Sequence, residues 1–381
     1  MITDIRLQHF RSYVDETFEF APGVNIIVGP NASGKTNLLE AVLVIARGTS
    51  YRVRDADLVA YDEPWARLDA HTSSVYIDES GDDVSGGLNT APNIQAGDAM
   101  PRTLKIVASQ SGLGGVAPQK TYEIDGKSFR RLHPSRMLPV VVFEPNHLYM
   151  LSGTPELRRS YLDEILEQTE PGYAVLRKDY KRVLAQRNAL LKTQGMSAEP
   201  QMFPWNIRLS QLGGRLAQYR MRLVARIDAE ASDLYSSLAR APIEVAVQYE
   251  TRLPAYTYDS ALLRSLEANF SLDVARGYTG TGPHRDDIKV LLRGRNAQTS
   301  ASRGENRTAV LMLKVMELRL LQDARGVSPL LLLDDVFSEL DGARRQALTA
   351  YLHDYQTFIT TTDADVVVRH FMDKCRIIPL G

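Results

Sequence analysis

The chain has one cysteine in 381 residues, Cys375. A lone thiol cannot form an intrachain disulfide, which excludes a disulfide-stapled scaffold and suits a reducing compartment. Histidine is scarce too, with seven scattered residues, and no Cys/His spacing fits a zinc site. No apolar run approaches the roughly 18 residues needed to cross a bilayer. Met1-Ile2-Thr3-Asp4-Ile5-Arg6 lacks the apolar core of a signal peptide, so the expectation is a cytoplasmic protein with no membrane contact. Neither sign of charge dominates, because 45 Lys and Arg oppose 46 Asp and Glu for a net −1. A globally basic nucleic-acid binder is thereby excluded, and any DNA contact is confined to local patches.

What is present begins with residues 24–40. Val24 to Val28 is an apolar, β-branched run that predicts a buried strand. It feeds Gly29-Pro30-Asn31-Ala32-Ser33-Gly34-Lys35-Thr36, a full match to G-x-x-x-x-G-K-[ST]. Leu38, Leu39, Val42, Leu43, Ile45 and Ala46 follow at helical spacing. The glycines let backbone N–H groups turn around phosphate oxygens, and the helix N-terminus adds partial positive charge. Lys35 is expected to reach the β- and γ-phosphates and Thr36 to sit on Mg²⁺. A glycine turn matching by chance would explain neither the strand before it nor the helix after it.

A second segment completes that chemistry. Pro329-Leu330-Leu331-Leu332-Leu333-Asp334-Asp335 is a continuous apolar strand ending in two acids. A parallel strand beside that of the phosphate loop would bring Asp334 to the metal and Asp335 to the γ-phosphate side, where it can polarise water. Mg²⁺ takes hard oxygen ligands and keeps several waters, so Thr36 and Asp334 suffice. The next strand, Gln356 to Thr360, ends in Thr361-Thr362-Asp363, polar groups that would face the same crevice.

Between these segments the texture changes twice. Strands are predicted over 2–10, 16–20, 66–78, 103–109, 120–125 and 138–143, with Glu79 to Pro101 read as a long mobile hairpin loop and Ser111 to Pro118 as a shorter one. From Thr154 the pattern is helical for most of 120 residues, with a capped first helix, a second over 172–193 and a long third over 203–239. Between Arg158 and Arg226 stand thirteen basic residues against six acidic ones, an excess of seven. That excess suits either a solvated helix surface or a DNA-facing one. A strand over 243–249 and a helix over 260–275 lead to a polar cluster, Gly282-Pro283-His284-Arg285-Asp286-Asp287, and another strand. Ser302 and Glu305 then form a capping box at the start of a further helix.

Five ordered segments resemble the RecF family of bacterial DNA-repair ATPases, whose ABC-type heads are related to the SMC proteins. They are Leu7-Gln8-His9-Phe10-Arg11-Ser12-Tyr13, Gly29 to Glu40, Gly282 to Asp287, Ser302-Arg303-Gly304-Glu305-Asn306-Arg307, and Leu332 to Asp341. The resemblance covers nearly the whole chain. It implies an α/β fold, a P-loop ABC-type ATPase head with a mixed sheet and an inserted α-helical lobe. On that reading residues 1–135 (with the mobile loop 79–101) and 281–381 are the two parts of the head, and 136–280 the lobe. It implies ATP and Mg²⁺ as ligands, weak ATP hydrolysis, and an ATP-dependent homodimer in which Ser302 and Gly304 of one subunit cap the nucleotide of the other. Arg11 falls where SMC-type heads direct an arginine to nucleotide, and Asp363 where transporters carry a switch histidine. Ser338 to Asp341 resembles the D-loop, and Glu144-Pro145-Asn146-His147 occupies the place of the head–lobe loop without its usual Gln. Glu305 stands where Gln is common, which favours a capping role over phosphate contact. The implied partners are DNA, as duplex and single-strand/duplex junctions, and RecR, RecO and RecA in gap repair, replication and SOS induction.

Two other readings use the same loop. A P-loop kinase needs an arginine-rich lid and an acceptor pocket and leaves Ser302–Arg307 and Ser338–Asp341 without a role; another SMC-like ATPase is the alternative, and a head that binds ATP without hydrolysing it stays open because Asp335, shorter than Glu, positions water less well. An ATPase of the overcoming-lysogenisation type needs an acidic nuclease domain, and none is expected in a sequence ending at Gly381.

Overall fold

A computed structural model describes residues 1–77, 94–108, 118–363, 367, 371 and 375–381. The chain folds as two compact units, residues 1–145 with 321–381, and residues 146–320.

The first unit holds two sheets. One is antiparallel, in the order β2 (Tyr13–Glu19), β1 (Ile2–Phe10), β4 (Trp65–Ile77), β5 (Ile94–Val107), β6 (Gln119–Ile124) and β7 (Lys127–Phe129). The other is wholly parallel, in the order β14 (Cys375–Pro379), β3 (Val24–Val28), β13 (Thr357–Thr361), β12 (Leu330–Asp334) and β8 (Val140–Phe143). β12 and β13 are buried at every position, as near-continuous apolar parallel strands require. Helix α1 (Lys35–Arg47) buries ten of its thirteen residues. It shares one hydrophobic core with Leu7, Leu68 and Leu104 of the antiparallel sheet and Ile27, Leu332 and Phe358 of the parallel one. A helix apolar on all sides must be enclosed in this way. Its C-terminal end is closed by donors: Gly48 adopts φ 79, and its carbonyl accepts from Tyr122 Oη at 2.9 Å and Lys120 Nζ at 2.6 Å. Arg102 adds a bond to the Ile45 carbonyl at 3.2 Å, and its burial lowers its pKa to about 10. Cations at this end complement the helix dipole and leave the other end for an anion.

Three expectations change here. β12 does not lie beside β3, because β13 intervenes; Asp334 and the phosphate loop face each other across one strand. β5 begins at Ile94 and pairs with β4 through Ile77↔Ile94 and Val75↔Ala96. Residues 94–101 therefore belong to a strand and not to the expected loop, while 79–93 and 111–117 lie outside the described residues. β8 pairs with β12 and so belongs to the first unit, so the helical unit runs over 146–320 instead of 136–280.

The second unit contains α2 (Pro155–Thr169), α3 (Tyr173–Gln194), the 41-residue α4 (Glu199–Ala239), α5 (Tyr258–Ala268), α6 (Phe270–Arg276), α7 (Ala297–Ser300) and the start of α8 (Arg303–Arg325). A three-stranded antiparallel sheet in the order β11 (Arg295–Asn296), β10 (Asp287–Leu292), β9 (Val245–Glu250) completes it. Thr154 precedes α2 without a side-chain capping bond, so its expected cap is absent. Gly213 and Gly214 do not interrupt α4. A Cβ at Gly214 would stand 2.7 Å from Asp259 Cβ, so these glycines let α5 approach closely.

The basic excess of this unit divides by helix phase. Arg158 forks onto Asp287 at 2.8 and 2.7 Å. Arg187 bonds Asn206, Asp273 and Thr279 at 2.7–2.8 Å. Arg220 holds Asp163 at 2.8–3.0 Å and the Pro283 carbonyl at 2.6 Å. All three are buried and paired, as buried charge requires. The polar cluster at Gly282–Asp287 is part of the same framework. Asp286 accepts from Tyr249 and Tyr258 at 2.9 and 2.6 Å, and His284 Nδ1 meets Tyr180 Oη at 2.6 Å. Lys178, Lys181, Arg182 and Lys192 stay exposed on α3, and α4 carries an exposed row with Arg208, Arg215 and Arg222 seven residues apart and Gln211 and Gln218 between them. Helical rise gives that row a length of ~21 Å.

Candidate nucleotide site

The loop after β3 is shaped by backbone. Ala32 and Gly34 both take left-handed conformations, φ 68 and 98. Gly34 occupies the N-cap of α1 and offers no side chain to it, so the first-turn N–H groups have no side-chain cap. Tyr13 Oη donates to the Gly34 carbonyl at 2.9 Å, and Asn37 donates to Ser12 Oγ at 2.9 Å; together they pin the loop's exit to the β1–β2 turn. Gly29 has no room for a Cβ, which would meet Ser33 Oγ and the Leu380 carbonyl. Pro30 and Asn31 form the exposed crest.

Lys35 Nζ donates to the carbonyls of Gly29 and Pro30, both at 2.8 Å. The ammonium thus lies inside the loop it is expected to serve. Thr36 Oγ1 donates to Asp334 Oδ1 at 3.0 Å, across 298 residues of sequence. Thr360, buried on the intervening β13, donates to the same oxygen at 2.9 Å and accepts from the Asp335 N–H at 2.8 Å. Asp335 takes φ 53 at the N-cap of the short α9 (Val336–Glu339). Burial, then the neighbouring Asp334, raise its carboxyl pKa, with Lys35 opposing. A raised pKa makes that carboxylate a better proton acceptor. Ser338 Oγ closes on the Asp335 carbonyl at 2.7 Å, and Asp341 caps α10 (Gly342–Leu352).

Sequence reasoning missed several side chains here. Arg52 Nη1 reaches Asp334 Oδ2 at 3.3 Å. Tyr51, its ring partly exposed, bonds Glu144; burial, then Glu144 and Asp334, push its pKa up. Arg11 is engaged away from the loop, with Nε on the buried Glu40 at 2.8 Å and Nη1 on the Asp57 carbonyl at 3.1 Å. Ser50 Oγ donates to the other Glu40 oxygen. Asp363 is exposed just beyond β13, its N–H on Thr361 Oγ1 at 3.1 Å. Only helical phase could have flagged Glu40, which falls among the buried positions of α1.

In the second unit, Ser302 and Glu305 form the anticipated capping box. Ser302 N–H and Oγ donate to Glu305 Oε2 at 2.9 Å, and Glu305 N–H donates to Ser302 Oγ at 3.2 Å. Arg293 adds a bond to Glu305 Oε1 at 2.9 Å. These donors lower the Glu305 pKa to about 2. Gly304 lies in the first turn, and its carbonyl accepts from Thr308 at 3.1 Å. A cavity of about 310 Å³ opens beside this turn, lined by Arg293, Arg295, Ser300 and Glu305.

The residues of the first unit fit a magnesium nucleotide. Ser33 Oγ is buried without a hydrogen-bond partner, facing the cradle that a Cβ at Gly29 would fill. A hydroxyl and a carboxylate 3.0 Å apart suit a hard cation that keeps its waters. Among the described residues no cluster of three or more His, Cys, Asp or Glu could hold a metal, so a metal here would rely on water and phosphate oxygens. Among the described residues no helix is long and apolar enough to cross a membrane.

Loop, paired acids and helical insertion define an ABC-type head of the SMC-like class. The profile of the family described as RecF/RecN/SMC N terminal domain matches residues 1–377, and the chain belongs to that family, within its RecF branch. The DNA replication and repair protein RecF of Heliobacterium modesticaldum is 34% identical over 95% of this chain and 92% of its own. The RecF protein of Acaryochloris marina is 34% identical over 99% and 96%. A solved structure described as the recombination mediator protein RecF-ATPrS in the RecFOR pathway superposes with a TM-score of 0.78 at 26% identity, covering 96% of this chain and 94% of that one.

Proposed function

We propose that this chain is a weak, regulatory ATPase that closes as a homodimer on DNA when it holds ATP and Mg²⁺, and opens on hydrolysis. The observation that carries the reading is the Thr36–Asp334 bond beside a buried Lys35 within its loop. Gly29 to Thr36 would bind phosphate through backbone N–H groups and the α1 dipole, Lys35 would neutralise the β- and γ-oxygens, and Thr36 with Asp334 would hold the metal, which would supply Lewis-acid polarisation of the γ-phosphate. Asp335, its pKa raised, accepts the proton of the attacking water. Ser302 and Gly304 present a helix N-terminus to the nucleotide of a second copy, with Glu305 kept on the capping box and off the phosphate. Arg11 and Asp363 belong to the rim of the site and act only after rearrangement.

DNA binding is assigned to the exposed α4 row. Arginines along ~21 Å of helix suit a phosphate backbone, which presents one charge per roughly 1.7 Å of duplex axis. Relatives named for DNA replication and repair, and a structural neighbour described within the RecFOR pathway, support a role at duplexes and single-strand junctions with RecR and RecO, in loading RecA at gaps. They also favour a cytoplasmic location.

Sedimentation and DNA binding test the proposal together. Lys35→Ala is expected to lose ATP binding, and Ser302→Arg to stay monomeric with ATP and Mg²⁺. Replacing Arg208, Arg215 and Arg222 by Ala should lower the salt slope of duplex binding by up to about 0.9 per lost contact. A monomeric Ser302→Arg chain with undiminished ATPase activity would overturn the trans site.

A further inference from the structure

The loop between α1 and residue 54 joins two parts of the candidate site that the mechanism treats separately. Ser50 Oγ accepts the N–H groups of Arg52 and Val53 at 2.9 and 3.2 Å, which fixes a tight turn. The same hydroxyl donates to Glu40, whose other oxygen accepts Arg11. One buried carboxylate therefore anchors the Arg11 turn and the Arg52 turn to helix α1. From that turn the Arg52 guanidinium extends to Asp334 Oδ2.

Asp334 divides its two oxygens between kinds of donor. Oδ1 takes two hydroxyls, from Thr36 and Thr360, while Oδ2 takes Arg52. Asp334 ends β12 with Asp335 directly after it, and Tyr51 meets both Glu144 and the charge of Asp334, so negative charge accumulates at this end of the sheet. Lys35 is committed to backbone carbonyls on the loop. Among the described residues Arg52 is the only cation in contact with Asp334. Its side chain is 43% exposed against 9% for Asp334. The cation is therefore open to solvent and the anion enclosed, which is the arrangement of an exchangeable counter-ion. An immobile, fully buried pair would instead resist exchange.

We propose that Arg52 is a positioning residue that acts as the counter-ion of Asp334, on the oxygen other than the one facing Thr36, and that it yields this carboxylate when the magnesium nucleotide enters. The inference rests on reading Thr36 and Asp334 as the metal pair. Arg52 keeps the two acids apart from mutual repulsion and holds Asp334 on the Thr36 hydroxyl, so the site waits preassembled. It also competes with Mg²⁺, so the protein fills only above a threshold of free metal. Release of Arg52 frees a turn tied through Ser50 and Glu40 to Arg11, the residue that must swing before it can meet a nucleotide.

The test is the Mg²⁺ concentration at half-saturation for binding of a fluorescent ATP analogue to the full-length chain. Arg52→Ala should lower that concentration about two- to fivefold, the range of a partly exposed ion pair. Arg52→Lys, which retains a cation, should stay near wild type. In an Asp334→Asn background the Arg52→Ala shift should vanish, because the contested carboxylate is gone. An unchanged or raised half-saturation in Arg52→Ala, or a shift that persists with Asp334→Asn, would overturn the proposal. Lys35→Ala separates the two readings: undiminished analogue binding there rejects the nucleotide site itself, whereas loss of binding there with no Arg52 effect rejects only the counter-ion.

Discussion

Thr360→Val replaces a buried hydroxyl by a methyl of the same shape on a strand that favours β-branched residues. The hydroxyl donates to Asp334 Oδ1 at 2.9 Å and accepts the Asp335 N–H at 2.8 Å. A bond to an ionised acceptor contributes about 1.5–3 kcal/mol, and an orphaned buried N–H costs about 1–3 kcal/mol. Burial of the extra methyl returns roughly 1 kcal/mol, so the net loss should be about 2–4 kcal/mol. Urea unfolding reads this cleanly because the two tryptophans divide between the units, Trp65 in the first and Trp205 in the second. In a Trp205→Phe background the fluorescence change reports the first unit alone. Thr360→Ser keeps the oxygen and should lose only about 1 kcal/mol for the missing methyl. Thr360→Val as stable as Thr360→Ser would show that the hydroxyl does not hold the acidic pair.

Glu305 supplies a pH dependence with a definite sign. Its folded pKa of about 2 lies below the ordinary 4.5, so its contribution is full above about pH 4.5 and fades as pH falls towards 2. Glu305→Gln should lose that contribution at pH 7 and flatten stability over the acid window, in titrations followed by Trp205. Gly214→Ala should destabilise the second unit by about 1–3 kcal/mol through its clash with Asp259. Helix propensity alone would favour alanine by about 1 kcal/mol, so the sign of the shift in chemical unfolding decides between packing and propensity. A neutral or stabilising result would mean that α5 can withdraw freely.

The parts of the fold that could be read in advance are those with strong local patterns. The apolar runs of β3 and β12, the glycine loop, the α1 periodicity and the Ser302–Glu305 spacing all announced themselves. Strand order did not, because nothing in Gln356–Thr361 marks it as the neighbour of both β3 and β12; that is a property of the assembled sheet. The start of β5 escaped because Ile94 to Pro101 contains Gly97 and Pro101, which local propensity disfavours and pairing with β4 overrides. Arg187 and Arg220 were legible in principle. Arg187 continues the stripe of Tyr173, Leu176, Tyr180 and Val183, and Arg220 that of Gly213, Leu216 and Ala217, so both point inward with the apolar residues. Counting charges without regard to phase mixed these framework arginines with the exposed row. The Arg52–Asp334 and Arg11–Glu40 pairs had no local signal, since each joins a turn to a distant element.

The position of β3 bears on how the protein is made. Both of its neighbours, β13 and β14, lie roughly 330 residues or more further along the chain. During synthesis the strand that precedes the phosphate loop must wait for roughly 330 further residues, about 20–60 s at ordinary bacterial elongation rates. Throughout that interval both of its hydrogen-bonding edges are open to any extended segment nearby. A chain not yet synthesised past Thr360 lacks part of the candidate nucleotide site, because Asp334 and Thr360 are still to come. Nucleotide capture therefore requires a chain synthesised past β13, and loss of β14 should be read by the cell as an unpaired β3 edge before it is read as a lost ATPase.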